Sequence, residues 1–267
     1  MARQDEQGKR SDDRLVKGAG AVDGDPWERV ARSQAYWGVL SHERFQSERL
    51  DDAAKSEFWA SGEQYVDRII DYMRQKVSGD FSPSVSLDFG CGVGRLLYPL
   101  SKVSQRAIGV DISPTMLEYA RANLEERGVT NCLLVRSIED PAVQAQRYDF
   151  VHSALVFQHI RPSDGYRILR QLLSRLESSG FGALHFRCRA SFSFGQVPRY
   201  VRARSRMLGR VAAVLRRKPQ AAAFIEIHEY DVGRILAVLH SEGIHEVAAL
   251  MSIDQGLNVT FFFRKPP

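Results

Sequence analysis

From about residue 80 onward, short apolar runs alternate with amphipathic stretches of about 10 to 15 residues. This alternation is typical of βα units whose strands form a parallel sheet. It predicts strands near Val85–Phe89, Ala107–Val110, Cys132–Val135, Phe150–Ser153 and Ala183–Arg187. It predicts helices near Arg95–Ser104, Met116–Arg127, Gly165–Glu177 and Val232–Ser241. The pattern therefore indicates a doubly wound α/β sheet.

Two further apolar runs, His245–Met251 and Leu257–Phe263, are joined by the turn-like stretch Asp254-Gln255-Gly256. A short polar turn with a glycine between two such runs is typical of an antiparallel hairpin. We therefore expect a mostly parallel seven-stranded sheet that ends in a C-terminal antiparallel hairpin.

The first 80 residues have a different pattern. Residues 1–25 mix charges with Gly and Ser and offer little to bury, which predicts a disordered tail. Residues 26–80 carry large apolar side chains, which recur at helical spacing in the stretch Ala53–Lys76. We expect N-terminal cap helices there, covering the edge or the mouth of the unit formed by residues 81–267.

The composition indicates an ordinary globular protein, because 44% of the 267 residues are hydrophobic and 26% are charged. No apolar run reaches the roughly 18 residues of a membrane span, and the polar start lacks the centre of a signal peptide. We therefore expect a cytoplasmic protein. The three cysteines are far apart and show no metal-ligand spacing, which predicts reduced thiols and no metal site.

The most specific signal is DFGCGVG, residues Asp88–Gly94, where a predicted strand runs directly into a glycine-rich turn. Glycines are needed where the backbone turns tightly and a ligand approaches more closely than a Cβ permits. The dinucleotide fingerprint G-x-G-x-x-G uses the same physics. Here Arg95 stands where the third glycine or alanine of that fingerprint belongs. The spacing therefore disfavours a nicotinamide or flavin cofactor.

Two later loops point to the same ligand. Asp111, followed by Ile112, stands 19 residues after Gly92 at the predicted end of the second strand. A carboxylate there can accept both hydroxyls of an adenosyl ribose, because it offers about four lone-pair sites. The segment Ser137–Glu139 follows the third strand, where it can contact an adenine edge and face. Three successive loops are thus expected to bind one nucleoside.

This combination resembles the class I S-adenosylmethionine-dependent methyltransferases, from about Val85 to Phe263. The fourth-strand segment of the family corresponds to Tyr148–Ser153, and Phe58–Glu63 resembles a segment that passes over the methionine end of the cofactor. The resemblance implies a Rossmann-like methyltransferase domain with S-adenosylmethionine as cofactor. The cofactor-binding positions that it implies are Asp88, Gly90, Cys91, Gly92, Gly94, Asp111, Ile112, Ser137, Ile138, Glu139, Gly62 and Tyr65.

The sulfonium of this cofactor already makes its methyl group an electrophile, so the protein mainly has to align a nucleophile. An alcohol or amine acceptor also needs a base, and histidine is the commonest one near neutral pH. His159 follows the predicted fourth strand and is the predicted catalytic base, with packing in its turn as the alternative role. His185 and His228 are the other candidates.

Residues 190–225 predict a basic helical insertion, because no acidic residue lies between Arg187 and Ile225 and arginines surround an apolar stripe. This segment could pack on the sheet as a cap, or contact an anionic acceptor or anionic lipid. Binding to nucleic-acid phosphates is a further alternative. It is not expected, because no aromatic residues alternate with these arginines.

The sequence therefore predicts an enzyme that methylates a small molecule, with a hydroxyl of a sugar, glycolipid or secondary metabolite as the expected acceptor. Nitrogen or RNA methylation is one alternative. A cofactor-binding scaffold without activity is another, although the intact Asp88, glycines and Asp111 argue against a degenerate pocket.

Overall fold

Seven strands form one mixed sheet in the computed structural model, which describes residues 25–189, 225–253 and 256–267. The strands are β1 (Val85–Phe89), β2 (Arg106–Val110), β3 (Cys132–Val135), β4 (Tyr148–Ser153), β5 (Leu176–Cys188), β6 (Val247–Ser252) and β7 (Leu257–Arg264). Their order is β3-β2-β1-β4-β5-β7-β6. The first five strands run parallel, and β7 is antiparallel to both β5 and β6. The predicted doubly wound sheet with a C-terminal antiparallel hairpin is confirmed.

Most helices of the described residues start at a side chain that caps them. They are α1 (Pro26–Val39), α2 (Asp52–Lys76), α3 (Leu97–Val103), α4 (Pro114–Glu126), α5 (Pro141–Gln144), α6 (Pro162–Arg175) and α7 (Val232–Ser241). Aspartate or serine side chains cap five of these helices: Asp25, Asp51, Ser113, Asp140 and Asp231. A side-chain oxygen at this position satisfies an amide that the helix itself leaves without a partner. Short 3₁₀ helices occupy Glu43–Phe45, Ser47–Arg49 and Phe157–His159.

Alternate residues of the central strands pack into different helical layers. Val151 and Leu184 face the layer that contains Leu169 of α6 and Leu239 of α7. On the other face, α2 covers a second cluster; its members are Val66, Ile69, Ile70 and Met73 with Phe150, Phe181, Ala183 and Phe262. This alternation follows from the two-residue repeat of a strand. The helix α2 is therefore a layer of the sheet domain as well as part of the expected cap.

The strand order creates a crevice beside β1. β1 lies between β2 and β4, so the chain proceeds from it toward opposite sides of the sheet. In parallel α/β sheets, ligands bind at the carboxyl ends of the strands where this reversal occurs. The register pairs Asp88 of β1 with Gly109 of β2 and with His152 of β4. The glycine turn, Asp111 and the loop after β4 thus emerge at the same edge.

Two predicted starting points, those of α6 and β5, were wrong. The helix α6, predicted near Gly165–Glu177, begins at Pro162, because proline suits the first helical turn. The fifth strand begins at Leu176, not near Ala183, and its register with β4 shifts between Tyr148 and Phe150. The polar residues inside this irregular stretch hid the strand from a pattern based on apolar runs.

The predicted tail and the predicted basic insertion, residues 1–25 and 190–225, lie almost wholly outside the described residues. Within the described ranges, every helix is too short or too polar to cross a membrane.

Asp149 holds the start of β1 against β4. Its two carboxylate oxygens accept the N–H groups of Ser84 and Val85 at 2.7 and 2.8 Å. Asp149→Ala should lower the free energy of unfolding by about 1–3 kcal/mol, because two partly buried amides lose their acceptor. Urea denaturation measures this difference, and Glu177→Ala, at an exposed position, is the control. Equal midpoints for both variants would contradict this role.

Candidate active site

The glycine turn after β1 has a backbone that only glycine adopts easily. Gly90, Gly92 and Gly94 have φ angles of +79°, +54° and +88°. A Cβ on Gly90 would lie 2.2 Å from the side chain of Val156, and one on Gly92 would lie 2.5 Å from that of Val39. The turn is therefore packed tightly between the loop after β4 and the end of α1.

Asp111 joins this turn to the loop after β2. Its Oδ2 accepts the Gly92 N–H at 2.9 Å, and its Oδ1 accepts the Ser113 N–H at 3.0 Å. Burial raises the pKa of Asp111 to about 6, although both amide hydrogen bonds act to lower it. The next side chain, Ile112, is 57% exposed. A carboxylate that is fixed in this way retains lone pairs for a vicinal diol, and the adjacent Ile112 offers an apolar surface.

The loop after β3 lies next to this site, because the Asp111 N–H donates to the carbonyl of Val135 at 3.1 Å. Ile138 is buried in the core, and the hydroxyl of Ser137 accepts the Glu139 N–H at 3.0 Å. Glu139 is exposed, and its carboxylate accepts a hydrogen bond from Gln171 of α6 at 3.2 Å. The structure thus brings Ser137 and Ile138 beside the site and turns Glu139 toward α6.

Two of the predicted binding residues shape the site through packing. The side chain of Cys91 is buried near Leu97 and Ala107, and burial raises the pKa of its thiol. All three cysteines are free. A Cβ on Gly62 would lie 2.5 Å from the carbonyl oxygen of Arg95, so this glycine lets α2 approach the glycine turn. Only the backbone of Cys91 belongs to the turn.

Asp88 and His152 form a buried pair at the carboxyl ends of β1 and β4. The carboxylate oxygen Oδ1 of Asp88 lies 2.8 Å from Nδ1 of His152. The ring of Tyr65 on α2 meets the His152 ring edge-on at 5.8 Å. Burial and the charge of Asp88 raise the pKa of this tyrosine to about 12. Tyr65 therefore stays a neutral hydroxyl beside a carboxylate.

Among the described residues, two buried polar atoms at this site have no hydrogen-bond partner: Nε2 of His152 in the pair, and Nε of the nearby Arg95. Such atoms cost free energy unless a bound group satisfies them. The guanidinium of Arg95 suits the carboxylate of an amino acid, and the carboxylate of Asp88 suits its ammonium group. With Asp111 on the nucleoside side, these residues fit S-adenosylmethionine. Sequence reasoning assigned Arg95 no binding role, although this residue directly follows the glycine motif.

His159 lies at the end of the 3₁₀ helix that follows β4. Its Nδ1 is 3.1 Å from the carbonyl oxygen of Glu226, which can only accept, so the proton belongs on Nδ1. Its Nε2 is 3.0 Å from the Gln158 amide nitrogen, and the Trp27 ring packs edge-on at 4.7 Å. Burial lowers the pKa of His159 to about 4. The ring is therefore neutral at pH 7, with its Nε2 lone pair accepting from an amide.

The other two candidate bases, His185 and His228, also lie at this edge of the sheet. Nδ1 of His185 accepts the Leu155 N–H at 3.3 Å, and burial lowers the pKa of His185 to about 4. Nε2 of His228 is 3.4 Å from a carboxylate oxygen of Glu226. His185 is thus tied to the loop after β4, and His228 lies beside the segment that supports His159.

Part of the chain matches a known protein family. Residues 87–180 match a family described as "Methyltransferase domain". The ubiquinone biosynthesis O-methyltransferase of Actinobacillus pleuropneumoniae serotype 7 is 30% identical over 116 residues, 42% of this chain and 48% of that protein. The enzyme of the same name from Cereibacter sphaeroides (strain ATCC 17025) is 28% identical over 101 residues, 34% of this chain and 41% of that protein. The chain thus spans less than half the length of these curated relatives.

Solved structures share the fold over most of the chain. Magnesium protoporphyrin IX methyltransferase from Synechocystis PCC 6803, with bound SAH, has a TM-score of 0.55 at 17% identity and covers 87% of this chain and 97% of its own. The N-methyltransferase NodS from Bradyrhizobium japonicum, with S-adenosyl-L-homocysteine (SAH), has a TM-score of 0.56 at 12% identity and covers 91% and 100%. Residues 87–180 thus match the methyltransferase domain family, and the sheet domain has the fold of these solved methyltransferases. The predicted fold class is confirmed, and the match over residues 87–180 supports the predicted recognition.

The titration of Asp111 gives a testable prediction for this site. Below about pH 6 the carboxylate takes up a proton and loses acceptor capacity, so affinity for SAH should fall between pH 7 and pH 5. Asp111→Asn should weaken binding by about 1–3 kcal/mol and remove most of this pH dependence. Calorimetry over this pH range measures both effects, with Glu118→Gln on the exposed face of α4 as control. Parallel pH curves for wild type and Asp111→Asn would contradict the assigned role.

Proposed function

We propose that the protein transfers the methyl group of S-adenosylmethionine to an oxygen nucleophile on a small molecule. The observation that carries this proposal is the arrangement at the carboxyl ends of β1 and β2, where the Asp111 carboxylate accepts a hydrogen bond from the Gly92 N–H. The names of the curated relatives, which are O-methyltransferases, support oxygen as the acceptor atom. The match to a methyltransferase domain supports the reaction type.

His159 is the proposed base. The cofactor supplies an electrophilic methyl group on a sulfonium. Nε2 of neutral His159 would take the proton that the acceptor hydroxyl loses when its oxygen is methylated. The carbonyl of Glu226 accepts the Nδ1–H, so it fixes the tautomer and stabilises the imidazolium that forms. The acceptor hydroxyl would replace the Gln158 amide at Nε2.

The proposed acceptor is a hydroxyl of a sugar, a glycolipid or a secondary metabolite. The exposed apolar side chains Leu155 and Ile227 lie close in sequence to Gln158 and His228, and the backbones of those two residues are joined by a hydrogen bond of 2.7 Å. An apolar border beside a polar base suits an acceptor that combines a hydroxyl with an apolar body.

One experiment tests the acceptor class directly. The protein is incubated with a metabolite extract and S-adenosylmethionine that carries a heavy-isotope methyl group, and products are separated by mass spectrometry. We expect label in a small molecule as an acid-stable methyl ether. Label confined to amines, RNA or protein would overturn the proposal of an oxygen acceptor.

His159→Ala should lower turnover of the identified acceptor by at least about 100-fold, because a positioned base typically contributes about 10²–10⁴-fold. Affinity for SAH should stay within about threefold, since this residue lies at the acceptor side. His240→Ala, at an exposed position on α7, is the control. Near-normal turnover of His159→Ala at pH 7 would return His159 to a packing role.

The pH profile of the wild-type enzyme gives an independent test of this base. Because burial lowers the pKa of His159 to about 4, the neutral base is present throughout pH 5–8. The acid limb that belongs to His159 should therefore lie near pH 4, below the ordinary histidine value of about 6.5. A limb near 6.5 that disappears in His159→Ala would show that the histidine titrates as an exposed group.

A further inference from the structure

The helix α1 crosses three of the loops at the carboxyl edge of the sheet. Val39 packs against Gly92 in the turn after β1, and the Trp27 ring packs against His159 after β4. Between these contacts, Glu28 reaches the loop after β2. This helix therefore touches both the proposed cofactor side and the proposed acceptor side.

Glu28 is the polar anchor of this helix. It is buried, at 2% exposure, and one oxygen accepts the Ser113 hydroxyl at 2.6 Å and the Thr115 N–H at 3.3 Å. The other oxygen accepts the Thr115 hydroxyl at 2.6 Å and pairs with Arg32 at 2.9 Å. Burial acts to raise the pKa of Glu28, but these hydrogen bonds lower it to about 2. The carboxylate stays charged at the N-terminus of α4, where the helix dipole favours an anion.

The same contacts continue to the proposed ribose-binding acid. Ser113 donates its hydroxyl to Glu28 and its backbone N–H to Asp111, at 2.6 and 3.0 Å. Its hydroxyl oxygen also caps α4 by accepting the Met116 N–H at 3.1 Å. Ser113 is therefore fixed from both sides, and the hydrogen bonds run without a gap from Glu28 to the Gly92 amide.

We propose that Glu28 is a positioning residue, which fixes α1 over the cofactor site and, through Ser113, holds Asp111 in the orientation that accepts the cofactor ribose. The proposal rests on the proposed function, since it presupposes the adenosyl cofactor. Nothing in the sequence pattern marks this glutamate, which stands among other charged residues in a predicted cap helix.

Glu28→Ala should raise the dissociation constant for SAH at least about tenfold. Thr115→Val removes one of the hydrogen bonds at nearly constant volume and should raise it by a smaller factor. Glu118→Ala, which removes an exposed carboxylate from α4, is the matched control and should leave the constant unchanged. Calorimetry with SAH, on variants whose circular dichroism equals that of wild type, measures these affinities.

Hydrogen exchange gives a readout that a merely structural role would not move. In the wild type, SAH should slow exchange of the amides in α1, because this helix packs over the proposed cofactor site. In Glu28→Ala, the same ligand at saturating concentration should protect α1 several-fold less. If Glu28 only stabilised the fold, the melting temperature would fall while SAH affinity and ligand-induced protection stayed at wild-type levels.

The wild-type measurement separates the test of the proposed function from the test of the role of Glu28. A wild type that binds neither SAH nor S-adenosylmethionine overturns the proposed function. A wild type that binds SAH, together with a folded Glu28→Ala whose affinity is within twofold, overturns the role of Glu28 alone. Where Glu28→Ala does not fold, Glu28→Gln and Thr115→Val are judged against the wild type: unchanged affinity in both overturns the role.

Discussion

The hydrogen bond from the Gly92 amide to the Asp111 carboxylate is the interaction on which the site depends. It joins the turn after β1 to the loop after β2, so the two strand ends keep a fixed relation without a ligand. It also needs a glycine, because the backbone at Gly92 has a positive φ and Val39 packs against it. The burial that accompanies this contact raises the pKa of Asp111 to about 6, which makes the site sensitive to mild acid.

Charge at this edge of the sheet is buried but compensated. Asp88 is hydrogen-bonded to His152, and Asp111 accepts hydrogen bonds from two amides. Glu28 accepts hydrogen bonds from two hydroxyls and pairs with Arg32. A buried carboxylate is tolerated when hydrogen bonds replace its lost hydration. The exceptions are Nε of Arg95 and Nε2 of His152, which have no partner among the described residues. These two atoms lie where the amino acid group of the cofactor is proposed to bind.

The two buried histidines at the proposed acceptor side are neutral groups. His159 and His185 both have a pKa of about 4 because burial disfavours the imidazolium. In each ring, Nδ1 is hydrogen-bonded to the backbone: that of His159 to the carbonyl of Glu226, and that of His185 to the N–H of Leu155. A neutral ring whose orientation is fixed can take a proton without first losing one.

The sequence by itself determined the strand and helix order, the terminal hairpin and the position of the glycine turn, because hydrophobic periodicity and glycine spacing are local properties. It also determined that Asp111 follows β2, since parallel strands end at one edge. Only the tertiary structure decided that the Cys91 side chain is buried in the core and that the Arg95 backbone packs against Gly62. It also decided that Glu139 is hydrogen-bonded to Gln171 of α6. The contacts of Glu28 and the neutral state of His159 likewise arise from segments distant in the chain. Burial and hydrogen-bond partners of this kind exist only once those segments have packed together.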